Sequence, residues 1–165
     1  MRPRRAQLPD LGPRGEGWVL GQLTLLGLTF LLSIPSLPHL APVGVASWVA
    51  LVAGFVAVAI AGAVILLALR ELGASLTALP RPREGAVLVE SGVYAHVRHP
   101  IYASLILGCL GWGAATRSLP SVVAALLLTL FLDAKARREE RWLAERYPSF
   151  AAYRTRTRRF LPGIY

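Results

Sequence analysis

The residues from Gly17 to Leu69 include no Asp, Glu, Lys or Arg. A helix crossing a bilayer needs ~20 predominantly apolar residues, so this run is long enough for two crossings. Pro35, Pro38 and Pro42 cluster near its middle, with His39 between them. Proline ends helices and opens turns. The pattern predicts one helix over Trp18–Ile34, a short loop, and a second helix over Val43–Leu69. The second exceeds what a bilayer requires, so it should tilt or protrude. A further charge-poor stretch, Ile101 to Leu132, is interrupted only by Arg117. Its "TRSLP" at Thr116–Pro120 reads as a turn, with Pro120 in the first turn of the next helix. Both halves are short for a span, which suits a tight helical hairpin.

The expected fold is therefore an all-α integral membrane protein. It has about four transmembrane helices, a C-terminal helical hairpin and a cytoplasmic amphipathic helical tail. One membrane domain covers 1–165: a basic arm (1–17), two helices (18–69), a polar segment (70–100), the hairpin (101–132) and the tail (133–165). "VGVA" at Val43–Ala46 weakly resembles a small-residue cleavage site, and Arg4-Arg5 weakly suggests twin-arginine export. The second apolar run follows at once, so the chain stays in the membrane under either reading.

A net charge of +9 would point to nucleic acid in a soluble protein, but 55% of this chain is apolar and 16% charged. That composition excludes disorder and an ordinary soluble domain. With four crossings, 17 of the 18 Lys and Arg residues fall on one side, and Arg117 stands alone on the other. The positive-inside rule makes the crowded side cytoplasmic. The expected location is a bacterial-type plasma membrane with both termini cytoplasmic. The basic residues then meet anionic lipid headgroups, and no nucleic-acid partner is expected. Cys109 is the single cysteine, so no internal disulfide or cysteine-rich zinc site can form. His39, His96 and His99 lack metal-ligand spacing, and no metal is expected. A glycine-rich phosphate loop after a strand and a nucleophile elbow are both missing.

Chemistry concentrates in two places. In the polar segment, "LPRPREG" reads as an extended, proline-stiffened stretch. Arg98-His99-Pro100-Ile101-Tyr102 then stands at the mouth of the third helix. Pro100 suits a first helical position and pushes His99 out of helical geometry. The N–H groups of that first turn favour an anion, and Arg98 adds a planar cationic fork. Headgroup anchoring is the plainer role for Arg98 and His99. In the tail, Ala136, Leu143 and Tyr147 share one helical stripe, and Glu140 falls between them. A carboxylate there needs a positive partner: Arg137, Arg141, Arg98 or a cationic ligand. Lys135, Arg138, Glu145 and Arg146 read as solvated. Glu139 sits at the stripe's edge beside Trp142, where an exposed pair with Lys135 would suffice. Periodicity alone ranks Glu140 above Glu139. The last stretch, "RTRTRRFLPGIY", reads as a headgroup-docking segment with apolar anchors.

"GVYAHVRHPIY" followed by "RREERWL" and "YPSFAAYRTRTRRFLPGIY" resembles the isoprenylcysteine carboxyl methyltransferase family, part of a wider group of membrane and phospholipid methyltransferases. The matching motif residues are Arg98, His99, Pro100, Tyr102, Glu139 and Glu140. The lead-in "LVESGVY" adds Leu88, Gly92, Val93 and Tyr94. Ser104 stands where the family often has glycine, and Pro148 departs from a usual glycine in the tail. The resemblance implies S-adenosyl-L-methionine as methyl donor, held without a Rossmann fold. It implies catalytic roles for Arg98 and Glu140. Cofactor-binding roles go to Leu88, Gly92, Val93, Tyr94, His99, Pro100, Tyr102, Glu139 and Glu140. The acceptor would be lipophilic or small: an isoprenylcysteine-like carboxylate, a thiol or a lipid amine. Two other classes stand beside it, a membrane reductase using a nicotinamide cofactor and a non-enzymatic membrane subunit.

Overall fold

The computed structural model describes residues 11–77, 79 and 85–165. Arg2, Arg4, Arg5, Arg81, Arg83 and most of "LPRPREG" lie outside them. Five α-helices form: α1 (Glu16–Leu31), α2 (Val45–Leu72), α3 (Pro100–Ala115), α4 (Leu119–Arg146) and α5 (Phe150–Arg156). Among the described residues there is no strand, only an isolated parallel bridge between Val97 and Arg158. The prolines act as expected. Ile34–His39 is a 3-10 turn containing Pro35 and Pro38. Pro100 opens α3 behind an extended His99, with φ −129° and ψ 61°. Tyr147, the residue before Pro148, leaves helical geometry and ends α4.

The hairpin turn is a Schellman closure. Arg117 takes a left-handed φ of 52°. Its N–H donates to Ala114 O at 3.1 Å, and the Ser118 N–H donates to Gly113 O at 3.1 Å. Ser118 then caps α4 by accepting from the Ser121 N–H. The second helix of the hairpin and the start of the tail are one helix: α4 runs on through Asp133 to Arg146. From Ser121 to Arg146 there is no Pro or Gly, and a change from apolar to charged residues does not by itself end a helix.

The helices stack in the order α2, α3, α4, α1. Hydroxyls tie the C-terminal end of α1 to the start of α4. Ser121 donates to Thr29 O at 2.7 Å, and Ser118 donates to Leu32 O at 3.0 Å. Small residues bring α2 against α3, with Gly54 facing Gly111 and Ala115. A Cβ on Gly54 would lie 2.7 Å from the Ala115 nitrogen, so the close approach depends on glycine. Among the described residues, three helical stretches are long and apolar enough to cross a membrane: Glu16–His39, Val45–Ser75 and Leu119–Arg146. Helix α3 is apolar but has 16 residues, about 24 Å at 1.5 Å per residue, against a hydrocarbon core of ~30 Å. Large apolar side chains such as Leu20, Leu31, Val52, Val56, Leu126 and Leu130 are exposed on α1, α2 and α4, as suits surfaces meeting lipid.

The antiparallel arrangement sorts the chain ends. The C-terminal ends of α1 and α3 and the N-terminal ends of α2 and α4 share one end, with Arg117. The N-terminal end of α3, the C-terminal end of α2 and the charged half of α4 share the other.

Candidate active site

The polar end of the bundle is assembled by a splint. Residues 157–159, just after α5, lie beside residues 96–99, just before α3. The Arg98 N–H donates to Arg158 O at 2.8 Å and the His99 N–H to Arg159 O at 3.1 Å. The Arg158 N–H returns a bond to His96 O at 3.3 Å. Arg98 also donates from Nη1 to Thr157 O at 2.5 Å. Tyr153, buried on α5, donates to Tyr94 O at 2.7 Å. Burial pushes the Tyr153 phenol up to about 12 and raises Tyr94 as well.

Both glutamates of the tail are engaged, in different ways. Glu140 is buried in a cationic clamp. Arg98 Nε donates to Oε1 at 3.0 Å, while Arg159 donates Nε to Oε1 and Nη2 to Oε2, each at 3.1 Å. His99 Nε2 stands 3.4 Å from Oε1, without a well-aligned hydrogen bond, and is buried. Arg159 Nη1 further donates to Asp133 Oδ1 at 2.8 Å. Burial opposes the Arg159 charge, and the carboxylates of Glu140 and Asp133 outweigh it, so its pKa rises. Glu139 instead accepts from the Tyr102 hydroxyl at 2.9 Å. His99 Nδ1 lies 3.6 Å from the same carboxylate oxygen, and the His99 ring stacks on Tyr102 at 5.3 Å.

Above this cluster lies a cavity of about 420 Å³, walled by α1, α2, the segment before α3, α3 and α4. Small-molecule sites span roughly 300–1,000 Å³. Of the residues singled out in the sequence, Leu88, Tyr94, Arg98, His99, Ile101, Tyr102 and Glu139 line it, and so do Leu143 and Tyr147 of the helical stripe. Gly92, Val93, Pro100 and Glu140 do not line it. Gly92 takes a left-handed φ of 56° in the turn before α3, close against Glu71. Pro100 starts α3, and Glu140 stands behind the wall in its clamp. A second hollow of similar size, beside α5, is open to solvent and offers Arg154 as its one charged side chain. It lacks the opposed charges of the first.

Two readings of the tail change. Lys135 and Arg138 are buried, with 1% and 8% exposure, rather than solvated. Lys135 lines the cavity, and Arg138 stacks on Trp142 with its guanidinium carbon 3.9 Å from the ring centroid. The helix turns this face toward α1 and α3 rather than toward solvent. Arg159, read as a headgroup contact, is mostly buried in the clamp. No local signal marks it, because its partner lies 19 positions away. Gln22, which accepts from Lys135, carried a faint signal as the one carboxamide in an apolar run.

The chain belongs to the phospholipid methyltransferase family, whose profile matches residues 49–149. The match takes in both motifs and three of the helices that wall the cavity. Two curated bacterial proteins are similar to part of the chain. The cobalt-zinc-cadmium resistance protein CzcN of Cupriavidus metallidurans is 42% identical over 109 residues, which is 61% of this chain and 50% of that protein. The nickel-cobalt-cadmium resistance protein NccN of Alcaligenes xylosoxydans xylosoxydans is 35% identical over 83 residues, 50% of this chain and 39% of that protein. The matched region spans half the length of these relatives or less.

Proposed function

We propose that this protein is a membrane-embedded methyltransferase that holds S-adenosyl-L-methionine in the cavity and methylates a lipophilic or small acceptor. The observation that carries this reading is the cavity wall, where motif residues far apart in the chain converge with charges of both signs. The cofactor combines a carboxylate, an ammonium, ribose hydroxyls, an aromatic base and a sulfonium. Arg98 and His99 suit the carboxylate. Glu139 suits the ammonium or a ribose hydroxyl, and the Tyr94 and Tyr102 rings suit adenine or the sulfonium. When bound, the cofactor supplies an electrophilic methyl on sulfur.

The chain's residues align donor and acceptor and keep water out. Val19, Leu23, Leu69 and Leu72 form an apolar wall between α1 and α2, fit for the greasy part of an acceptor arriving from the bilayer. An anionic acceptor needs no base. A thiol or ammonium acceptor must lose a proton, and His99, which lines the cavity, is the candidate to take it. The names of the relatives refer to metal resistance and specify no methyl acceptor. The basic end of the bundle, with this cavity, faces the cytoplasm in this reading.

The test is calorimetric titration of S-adenosyl-L-methionine into purified protein. Labelled-methyl transfer into a membrane-lipid and small-thiol extract follows, with the product identified by mass. Saturable binding that weakens about tenfold in Glu139→Gln is expected, the scale of a charged hydrogen bond. A wild-type protein that binds no cofactor and labels nothing refutes the reading.

A further inference from the structure

We infer that Lys135 and Gln22 form an anion-binding subsite in the α1 side of the cavity wall, which takes the negative head of an amphiphilic acceptor. This rests on reading the cavity as the meeting place of donor and acceptor, and it assigns the acceptor a charge.

Burying an ammonium is costly unless something negative or strongly accepting meets it. Lys135 is 1% exposed. Its Nζ donates to Gln22 Oε1 at 2.5 Å and lies 5.0 Å from the Tyr102 ring centroid. An ammonium carries three donors, and this one has a single neutral oxygen acceptor. The other cations of the site are compensated: Arg98 and Arg159 share Glu140, and Arg159 also holds Asp133. Glu139, one turn along α4, attracts the ammonium through space, but its hydrogen bond goes to the Tyr102 hydroxyl. Among the described residues Gln22 is the one hydrogen-bond acceptor of Lys135, so its remaining N–H donors are left for whatever fills the cavity.

Gln22 reinforces the polarity. Its carboxamide oxygen is turned to Lys135, so its NH2 group is left as a donor at the same wall. Two donor groups then converge beside the apolar side chains of Val19, Leu23 and Leu69. A carboxylate or phosphate with an apolar tail fits that combination, and an amine head with no anionic group beside it does not. The donor's own carboxylate has the same chemistry, so the experiment must separate the two.

Decanoate and decanol, one anionic and one uncharged, serve as probes, titrated calorimetrically into wild-type protein in nanodiscs of zwitterionic lipid. Decanoate should bind about tenfold tighter than decanol, as a charge-assisted hydrogen bond to a buried ammonium implies. Lys135→Met should erase that preference, Gln22→Leu should reduce it several-fold, and Lys135→Arg should restore much of it. The Tm of Lys135→Met should equal or exceed that of wild type, because a buried charge with unmet donors is gone. A structural lysine would instead leave Lys135→Met melting well below wild type, and that result overturns the proposal. So does a decanoate preference absent from wild type or retained in Lys135→Met. S-adenosyl-L-methionine is titrated into the same samples. Weakened cofactor binding in Lys135→Met with decanoate unaffected would assign the cation to the donor and overturn the acceptor assignment. Failure of wild type to bind the cofactor while the decanoate preference holds would sink the methyl-transfer reading and leave the subsite standing.

Discussion

Arg159 grips both carboxylate oxygens of Glu140, with two guanidinium nitrogens each 3.1 Å from its own oxygen. This is a fork on a fork, the geometry in which arginine and carboxylate bind each other best. The third nitrogen reaches Asp133, about two turns earlier on α4, and the Tyr165 hydroxyl donates to the same aspartate oxygen at 2.9 Å. The segment after α5 is thereby locked onto α4. Its backbone, at Arg158 and Arg159, in turn holds Arg98 and His99 at the cavity.

Neighbouring glutamates should therefore fail in different ways. Glu140→Gln removes the charge that holds two buried guanidiniums, and breaking a buried pair costs ~3–5 kcal/mol. Its Tm should drop markedly, and activity should fall with it. Glu139 lines the cavity and keeps one hydroxyl bond, so Glu139→Gln should melt near wild type while binding S-adenosyl-L-methionine more weakly. Melting curves and titrations on the two purified variants check this. Equal loss of Tm in both would mean that Glu139 is also a structural residue.

Gly54→Leu should disrupt the α2–α3 contact. The first side-chain carbon would already fall 2.7 Å from Ala115 N and closer still to Gly111 O. Backbone cannot yield cheaply, and overpacking costs ~1–3 kcal/mol. Thermal unfolding should show a lower Tm. A glycine nearby with open space around it, Gly62, should accept Ala with little change.

Alkali should destabilise the splint through Tyr153. Burial favours its neutral form, so the folded value of about 12 lies above the ordinary 10. The stabilisation is whole below about pH 10 and is lost as pH rises through about 12. Tyr153→Phe removes this titration together with the bond to Tyr94 O, worth ~1 kcal/mol. Its Tm should start lower and decline less steeply between pH 9 and 12, measured by circular dichroism. A decline as steep as that of wild type would assign the alkaline loss elsewhere.

A reporter fused after Tyr165 should be active only in its cytoplasmic form. The motive is the end of the bundle that carries Arg14, Arg70, Arg98 and the tail, against Arg117 at the other. A reporter active only outside the cytoplasm would invert the bundle and put the cavity on the far side.

Much of the architecture is legible without coordinates. A run without charges, cut by three prolines, defines two helices, because water-free surroundings demand internal backbone bonding and proline cannot supply it. Pro100, Pro120 and Pro148 mark helix starts and a stop for the same local reason. Periodicity puts Glu140 on the buried stripe, and it is buried. What periodicity lacks is the identity of the neighbour. A helical stripe says that one face is covered, but the cover over Glu140 is Arg159, 19 residues on, and Arg98, 42 residues back. The cavity is lined by Leu143 and Tyr147 of that stripe but by Glu139 rather than Glu140, and by Lys135, although a charge count makes Lys135 look solvated. Those placements depend on how α4 rotates against α1 and α3, which is set by close packing between helices far apart in the chain. Local sequence thus determined where helices begin, end and bury a face, and only the tertiary packing decided which charges meet and which one faces the cavity.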